Sequence, residues 1–282
     1  MTGGEHAELL KMTRLPFWKM SGAGNDFIVI DAEACDGLDR AWLARQLCPR
    51  ALSVGADGVI LIEPVDREQV RIHFYNPDGS NAEMCGNGSR CAARYAVDRG
   101  FVDPGRFRLL TDSGDLEVLA GDGAFQVAMP QPENVQFDLL EFEEQGERFV
   151  VHGVRIGVPH AVVVLSDVER FSDDDLTRIG RRLRHDPHFP QGTNTNFVSL
   201  RPGEPLRQRT YERGVEALTK ACGTGSTATA FVVTSRFDQN WPVGLQVDGG
   251  RLSVDQRDGR LWLSGDARLI ATGEIEPDAF AW

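Results

Sequence analysis

The sequence contains no CxxC pair and no run approaching the ~20 consecutive apolar residues that a helix needs to cross a bilayer. The first absence argues against a redox dithiol and against a zinc site built from paired thiolates. The second argues against a membrane-spanning helix. The opening MTGGEHAELLKMTRL lacks the apolar stretch and small-residue cleavage site of a secretory signal, and residues 1–14 read as a simple extension. We therefore expect a cytoplasmic chain with no membrane partner. Its five cysteines, Cys35, Cys48, Cys85, Cys91 and Cys222, should be thiols in that reducing setting. Basic charge is also short: 30 Lys and Arg face 42 Asp and Glu, a formal net charge of −12. Phosphate backbones would be repelled, which excludes nucleic acid as a partner. A small anionic substrate remains admissible, because a few N–H groups at a helix start bind a carboxylate even inside an acidic protein. The one close histidine pair, His185 and His188 in HDPH, sits in a proline-containing loop. We expect no metal and no cofactor.

The chain does have a repeated stretch. Residues 84–95 read MCGNGSRCAARY and residues 221–232 read ACGTGSTATAFV. Cys85 meets Cys222, Gly86 meets Gly223, Gly88 meets Gly225, Ser89 meets Ser226 and Ala93 meets Ala230. The copies lie 137 residues apart in a chain of 282, about half its length. We expect a duplicated domain. Short alternating segments bounded by Gly, Asp or Pro fill both halves, as in antiparallel sheets. In the first half they are PFWKMSGAGNDFIVIDA (broken by its glycines), DGVILIEP, QVRIHFYN, RFRLLTD, DLEVLAG and AFQVAMP. In the second they are RFVVHGVRI, AVVVLSD, NFVSL, RQRTYE, GLQVDG, RLSVDQ and RLWLSG. DRAWLARQL and SDDDLTRIGRRLRH read as surface helices, the second opened by Ser172 and a run of acids.

The segments after Cys85 and Cys222 differ from these. CAARYAV and STATAFVV are small or apolar around most of their circumference, so both helices should be enclosed. The fold class is α+β. Two pseudo-symmetric domains each wrap a curved, mostly antiparallel sheet around one central helix, with the active site in the cleft between them. The boundary is expected near MPQPENVQ (129–136), where prolines interrupt the strands. This gives a first half of 1–130, joined by a returning strand within 268–282, and a second half of 131–267.

A thiol at a helix start sits in a positive field beside unsatisfied N–H groups, and both favour the thiolate. Glycines let the backbone approach a ligand closely. Two such thiols, one on each face of a carbon beside a carboxylate, suit inversion of a stereocentre. One removes the α-proton, the other returns a proton from the opposite face, and the helix starts take the developing charge. A single nucleophilic cysteine working with His160 is another reading, a cysteine hydrolase. It leaves the second Cys-Gly-x-Gly without a purpose. A non-catalytic protein using the two nests to hold an anion is a third.

From about Phe17 to the C-terminus the chain resembles the diaminopimelate epimerase family. The resemblance rests on KMSGAGNDF (19–27), NPDGSNAEMCGNGSRC (76–91), PH (159–160), GTNTNFV (192–198), and YERG (211–214) leading to ACGTG (221–225). It implies a cofactor-independent enzyme that interconverts LL- and meso-diaminopimelate for lysine and peptidoglycan synthesis, usually as a homodimer. Cys85 and Cys222 would be the acid/base pair. The N–H groups of Gly86, Asn87, Gly223 and Thr224 would hold the reacting carboxylate. Asn25, Asn76, Asn194 and Arg213 would bind the substrate's polar groups. His160 and Glu212 would stand beside the thiols and tune their protonation, Glu212 also reaching the substrate. Three positions depart from the family pattern: Gly58 where many members have Gln, Val158 where many have Asn, and Leu218 where a Glu often stands. All three bear on the distal half of the substrate. A two-thiol racemase of another amino acid, such as histidine, shares the same chemistry.

Two sulfurs flanking one carbon are within reach of each other when the site is empty. Mild oxidant is therefore expected to join Cys85 to Cys222 and abolish activity until reductant is added. Peptide mapping checks this; both thiols recovered unlinked from inactivated protein would refute it.

Overall fold

The structure, a computed structural model, describes residues 14–81, 85–121, 123–200 and 203–280. The chain divides into two compact units, 1–127 with 266–282, and 128–265.

In the first unit, β1 (Leu15–Gly22) and β2 (Asn25–Asp31) form a hairpin around Ala23 and Gly24, both with positive φ (48° and 87°). The sequence reading of one strand broken by its glycines is this hairpin. Helix α1 (Arg40–Leu47) leads to β3 (Gly58–Asp66) and β4 (Gln69–Tyr75). Helix α2 (Gly86–Asp98) leads to β5 (Gly105–Thr111), β6 (Gly114–Gly121) and β7 (Ala124–Met129). Beyond the second unit the chain returns as β17 (Arg268–Ile275), which pairs antiparallel with β1. The sheet order is β17-β1-β2-β3-β4-β5-β6-β7. Only β2/β3 and β4/β5 are parallel, and each of those two steps is the crossover that carries a helix.

The second unit follows the same plan. It runs β8 (Glu133–Glu144), β9 (Glu147–Ile156), β10 (Val158–Leu165), α3 (Asp173–Arg184), β11 (Asn194–Ser199), β12 (Leu206–Glu212), β13 (Ala217–Thr219), α4 (Gly223–Arg236), β14 (Val243–Val247), β15 (Gly250–Arg257) and β16 (Arg260–Gly265). The sheet order is β8-β9-β10-β11-β12-β14-β15-β16, with β13 paired onto β12. The parallel steps are β10/β11 and β12/β14, again the two helical crossovers. Eight strands thus recur with the same succession of pairings. The difference is the source of the first strand. In the second unit it is β8, which follows directly after β7; in the first it is β17, which follows β16. Each unit's edge strand continues the last strand of the other.

The central helices are enclosed, as their composition requires. Helix α2 packs on β1, β2 and β3 and also on β6, three strands further along, so the sheet curves around it. Helix α4 packs in the same way on β9, β10 and β11 and on β15 and β16. The outer helices cover the opposite face. Leu43, Ala44 and Leu47 of α1 meet Ile28, Ile30, Val59 and Leu61, and Leu176, Ile179 and Leu183 of α3 meet Val151, Val163 and Phe197. Strands covered on both faces lose alternation, which explains the runs FIVI, VILI and AVVV. Asp39 caps α1 by accepting from the Ala41 and Trp42 N–H groups, and Ser172 and Asp175 form a capping box on α3. Strand β8 was not legible. Asn134 and Asp138 take positive φ (50° and 52°), its register against β9 shifts twice, and most of its length is exposed, so the alternation of Val135, Phe137 and Leu139 buries none of them.

Gly180 of α3 lies against Tyr211 of β12: an added Cβ would stand 2.6 Å from the Tyr211 Cβ and Cγ. Gly180→Ala is expected to destabilise the protein by about 1–3 kcal/mol through overpacking. Gly121→Ala, where a Cβ meets open space, should stay within about 0.5 kcal/mol. Urea unfolding of the two variants compares them.

Candidate active site

In the first unit α2 starts at Cys85. The residue is the N-cap, extended (φ −119°, ψ 107°), and its side chain makes no capping bond. The Ser89 N–H closes the first turn onto the Cys85 carbonyl at 2.8 Å. Gly86 and Asn87 follow and are buried. The Asn87 side chain is held from both ends: Nδ2 donates to Asn25 Oδ1 at 2.7 Å, and Oδ1 accepts from Arg90 Nη2 at 2.9 Å. Asn25, the first residue of β2, donates through Nδ2 to Asp57 Oδ2 at 3.2 Å. Arg50 pairs with Asp57 at 2.8 Å and with Asp26 at 2.5 Å, and Lys19 pairs with Asp26 at 2.6 Å. Burial pushes the Asp26 carboxyl up, but hydrogen bonds from Arg50 and Lys19 overcome it and hold the group well below the usual carboxylate range. A continuous polar chain thus runs from a surface ion cluster to the start of α2. Asn76 is not part of it. It belongs to the turn after β4, where its N–H donates to the Ser80 carbonyl at 2.9 Å and its Nδ2 to Ser80 Oγ at 3.0 Å.

In the second unit α4 starts at Cys222 with nearly the same backbone (φ −123°, ψ 110°) and again no side-chain cap. Cys222 Sγ lies 3.5 Å from Thr224 Oγ1 and is hydrogen-bonded to Glu212. Glu212 Oε1 accepts from Thr219 Oγ1 at 2.5 Å. Burial raises the Glu212 pKa above the ordinary value, against the opposing hydrogen bonds from Thr219 and Cys222. The next residue, Arg213, donates its N–H to Asn194 Oδ1 at 2.8 Å and its Nη1 to the Gln191 carbonyl at 3.1 Å. Asn194 is opposite His160 in the parallel register of β10 and β11.

His160 is fully buried. Asn196 Nδ2, a donor only, lies 3.2 Å from His160 Nδ1, which assigns the ring proton to Nε2. Asn196 also donates to the Ala161 carbonyl at 3.2 Å, and its Oδ1 accepts from Thr210 Oγ1 at 3.1 Å. Burial, aided by the charge of Arg213, pushes the His160 pKa down to about 3. The ring is neutral at physiological pH and offers a dipole rather than a positive charge. Gly225 makes room for this arrangement, since a Cβ there would collide with Asn196 Oδ1 and stand 3.2 Å from Cys222 Sγ. Glu212, Arg213, Asn194, His160, Thr224 and Cys222 therefore form one connected cluster.

Sequence reasoning missed Asn196 and Arg90. Asn196 could have been found, because at i+2 from Asn194 it shares one face of the strand with that candidate residue. Arg90 stands one residue before CAARYAV, the segment read as small and apolar, and was given no role. The three departing positions have local causes. A Cβ on Gly58 would lie 2.9 Å from the Tyr75 carbonyl of the adjacent strand. Leu218 pairs with Tyr211 and packs onto the core beneath α3. Val158 opens β10 opposite Ile156, half-buried. Glu216, two residues before Leu218, carries the carboxylate of this segment. It accepts from the Gly214 N–H at 3.0 Å, from Tyr211 at 2.9 Å and from Arg184 at 3.1 Å, bracing the turn after Arg213. The remaining cysteines are of another kind: burial pushes Cys35, Cys48 and Cys91 up to about 12.

Two like units, each with a sheet around a helix, recur in solved structures. The structure is similar to a phenazine biosynthesis protein of the PhzF family from Bacillus anthracis (TM-score 0.72, 12% identity, 94% of this chain and 99% of that one). It is also similar to a hydroxyproline epimerase from Agrobacterium vitis (TM-score 0.64, 16% identity, 94% and 93%). These likenesses concern the fold. The sequence is more specific. The family profile described as diaminopimelate epimerase matches residues 17–133 and again 153–270. Proteins named diaminopimelate epimerase from Aquifex aeolicus and Methanocella arvoryzae are 40% and 38% identical, each over 95% of this chain and 100% and 99% of their own. The chain belongs to the diaminopimelate epimerase family.

The depressed His160 pKa ties stability to pH. An unfolded chain takes up a proton on this ring near pH 6.5, whereas the folded one resists until about pH 3. The stability this contributes is present above pH 6.5 and is lost as pH falls towards 3. His160→Gln should remove that share, leaving a drop in unfolding free energy between pH 7 and 4.5 that is smaller by as much as about 2 kcal/mol, read from urea unfolding. Glu212, with its raised pKa, acts in the opposite sense: its contribution is present below its unfolded value and is lost as pH rises through the folded one.

Proposed function

We propose that the chain is an isomerase, a cofactor-independent diaminopimelate epimerase. It interconverts LL- and meso-2,6-diaminopimelate by two-base proton transfer at the α-carbon, in the supply of lysine and peptidoglycan precursors. One observation carries the reading: a cysteine opens the enclosed helix of each unit, with the same backbone and with no side-chain cap, inside a chain of that family. Each half, 1–130 with 268–282 and 131–267, supplies one thiol and one helix start.

Cys85 and Cys222 exchange the roles of base and acid with the direction of reaction. The α-proton of an amino acid is weakly acidic, so the carbanion needs stabilisation as it forms. The N–H groups of Gly86, Asn87, Gly223 and Thr224, at the positive ends of α2 and α4, meet the carboxylate where that charge develops. Glu212 shares a hydrogen bond with Cys222, and burial favours its protonated form, which leaves the thiol beside a carboxyl able to give or take a proton. Neutral His160 holds Asn196 in place below the same helix start. Arg213 supplies a fork for a distal carboxylate, and Asn25, Asn76 and Asn194 offer donors and acceptors for the substrate's ammonium and carboxylate groups. A cytoplasmic homodimer is the working form in this reading.

Proton NMR of LL-diaminopimelate in D2O tests it. Reduced protein should remove the α-proton signal as the meso isomer grows, and Cys222→Ala should lower the rate by at least about 10²-fold. No exchange by folded, thiol-reduced protein would sink the assignment and turn attention to other amino acids, histidine first.

A further inference from the structure

The two helix starts are alike in backbone and unlike in charge. Arg90, one turn into α2, is 0% exposed. Its Nη1 donates to the Gly86 carbonyl at 3.1 Å, its Nη2 to Asn87 Oδ1 at 2.9 Å and its Nε to the Asp266 carbonyl at 3.4 Å. All three acceptors are neutral, and among the described residues no carboxylate pairs with it. A guanidinium stays ionised in proteins, and a buried charge without a counter-ion is strongly unfavourable unless something nearby answers it. In the second unit the matching position is Thr227, whose Oγ1 donates to the Gly223 carbonyl at 2.9 Å. The hydrogen bond to the helix's first carbonyl is kept and the cation is absent.

Among the described residues the carboxylates around α2 are engaged with other partners, and of these only Asp266 also acts on Arg90, through space. On β1 and β2, Lys19 and Asp26 are paired with each other, and Arg50 is shared between Asp26 and Asp57. Asp31, at the far end of β2, is taken by Tyr95 at 2.8 Å and Arg99 at 2.6 Å. On β3, Glu63 is exposed, and on β6, Glu117 pairs with Arg106. The Asp266 carboxylate accepts from the Ala23 N–H at 2.6 Å and pairs with Arg268 at 2.8 Å. Cys91, beside Arg90 in sequence, is kept a thiol by burial. Cys85 stands one residue before the carbonyl that Arg90 grips, close enough for the charge to act on it. At the other helix start the ionisable groups are Glu212, hydrogen-bonded to Cys222, and Arg213, bonded to Asn194 and Gln191.

We propose that Arg90 is a positioning residue that holds Cys85 as a thiolate in the ligand-free enzyme while Cys222, beside Glu212 and without a matching cation in its helix, is the protonated partner. The resting protein is then poised in one direction, with Cys85 ready to accept a proton and Cys222 ready to give one. This deepens the two-thiol reading, but its test reads thiol ionisation and not turnover. A failure of the exchange assay and a failure here are therefore separate results.

The experiment is iodoacetamide labelling of reduced protein across pH, with each cysteine quantified by peptide mapping. The half-labelling pH is read because it reports ionisation, whereas the rate also reports access. In the wild-type protein Cys85 should reach half-labelling at a lower pH than Cys222. In Arg90→Met its half-point should rise by about one pH unit or more while that of Cys222 stays in place. Arg90→Lys, which keeps a cation, should retain most of the wild-type value. A wild-type Cys85 half-point at or above that of Cys222 overturns the proposal without any variant. So does an unmoved Cys85 curve in Arg90→Met, or a shift of both curves together, which would mark a loosened fold.

Discussion

The first turn of a helix leaves backbone amide groups without partners in the helix, to be met by side chains, solvent or a ligand. The protein treats its four described α-helices in two ways. The outer pair are closed by Asp39 and by the Ser172–Asp175 box. The central pair begin at cysteines whose side chains do not cap them. Much of the surrounding structure follows from keeping those two starts in shape. Asn87, Asn25 and Asp57 brace one; Asn196, Thr210 and Glu212 brace the other. Glycines stand where these braces pass under the helix.

The bracing is built differently on the two sides although the backbone is duplicated. The first start is tied to charges: Arg90 within, and the Lys19, Asp26, Arg50 and Asp57 cluster outside. The second is tied to neutral or neutralised groups: a histidine that burial keeps uncharged, an asparagine, threonines and a carboxyl whose proton burial favours. In the proposed two-thiol reading, duplication supplies one thiol from each unit. In the same reading, divergence of the supporting side chains gives each thiol its own affinity for a proton.

The repeat was legible because close backbone approach demands glycine at both helix starts, and the thiols recur with it. The enclosed helices were legible from CAARYAV and STATAFVV because a helix without a polar face has nowhere to meet solvent. The second of the outer helices announced itself through Ser172 and its run of acids. What stayed hidden depends on tertiary placement. Arg90 looks like any surface arginine in a list of letters, and only the fold shows that it is sealed in. Strand β8 alternates at Val135, Phe137 and Leu139, but two register shifts and an exposed backbone leave that alternation without a buried face to mark it. Asn76 looked like its neighbours in the motif, yet its hydrogen bonds stay within its own turn. The neutrality of His160 could not be read from PH, since it arises from burial and from an arginine more than fifty residues away.

The exchange of edge strands has a consequence for the order in which the protein can be finished. Strand β17, which pairs with β1, is made only after the whole of the second unit. As the chain emerges from the ribosome, residues 15–129 can gather their two α-helices and seven strands, but β1 keeps an open edge. The second unit has no such wait, because β8 precedes it. The half that is translated first is therefore completed last. During synthesis its unpaired strand is the surface most in need of protection from neighbouring chains.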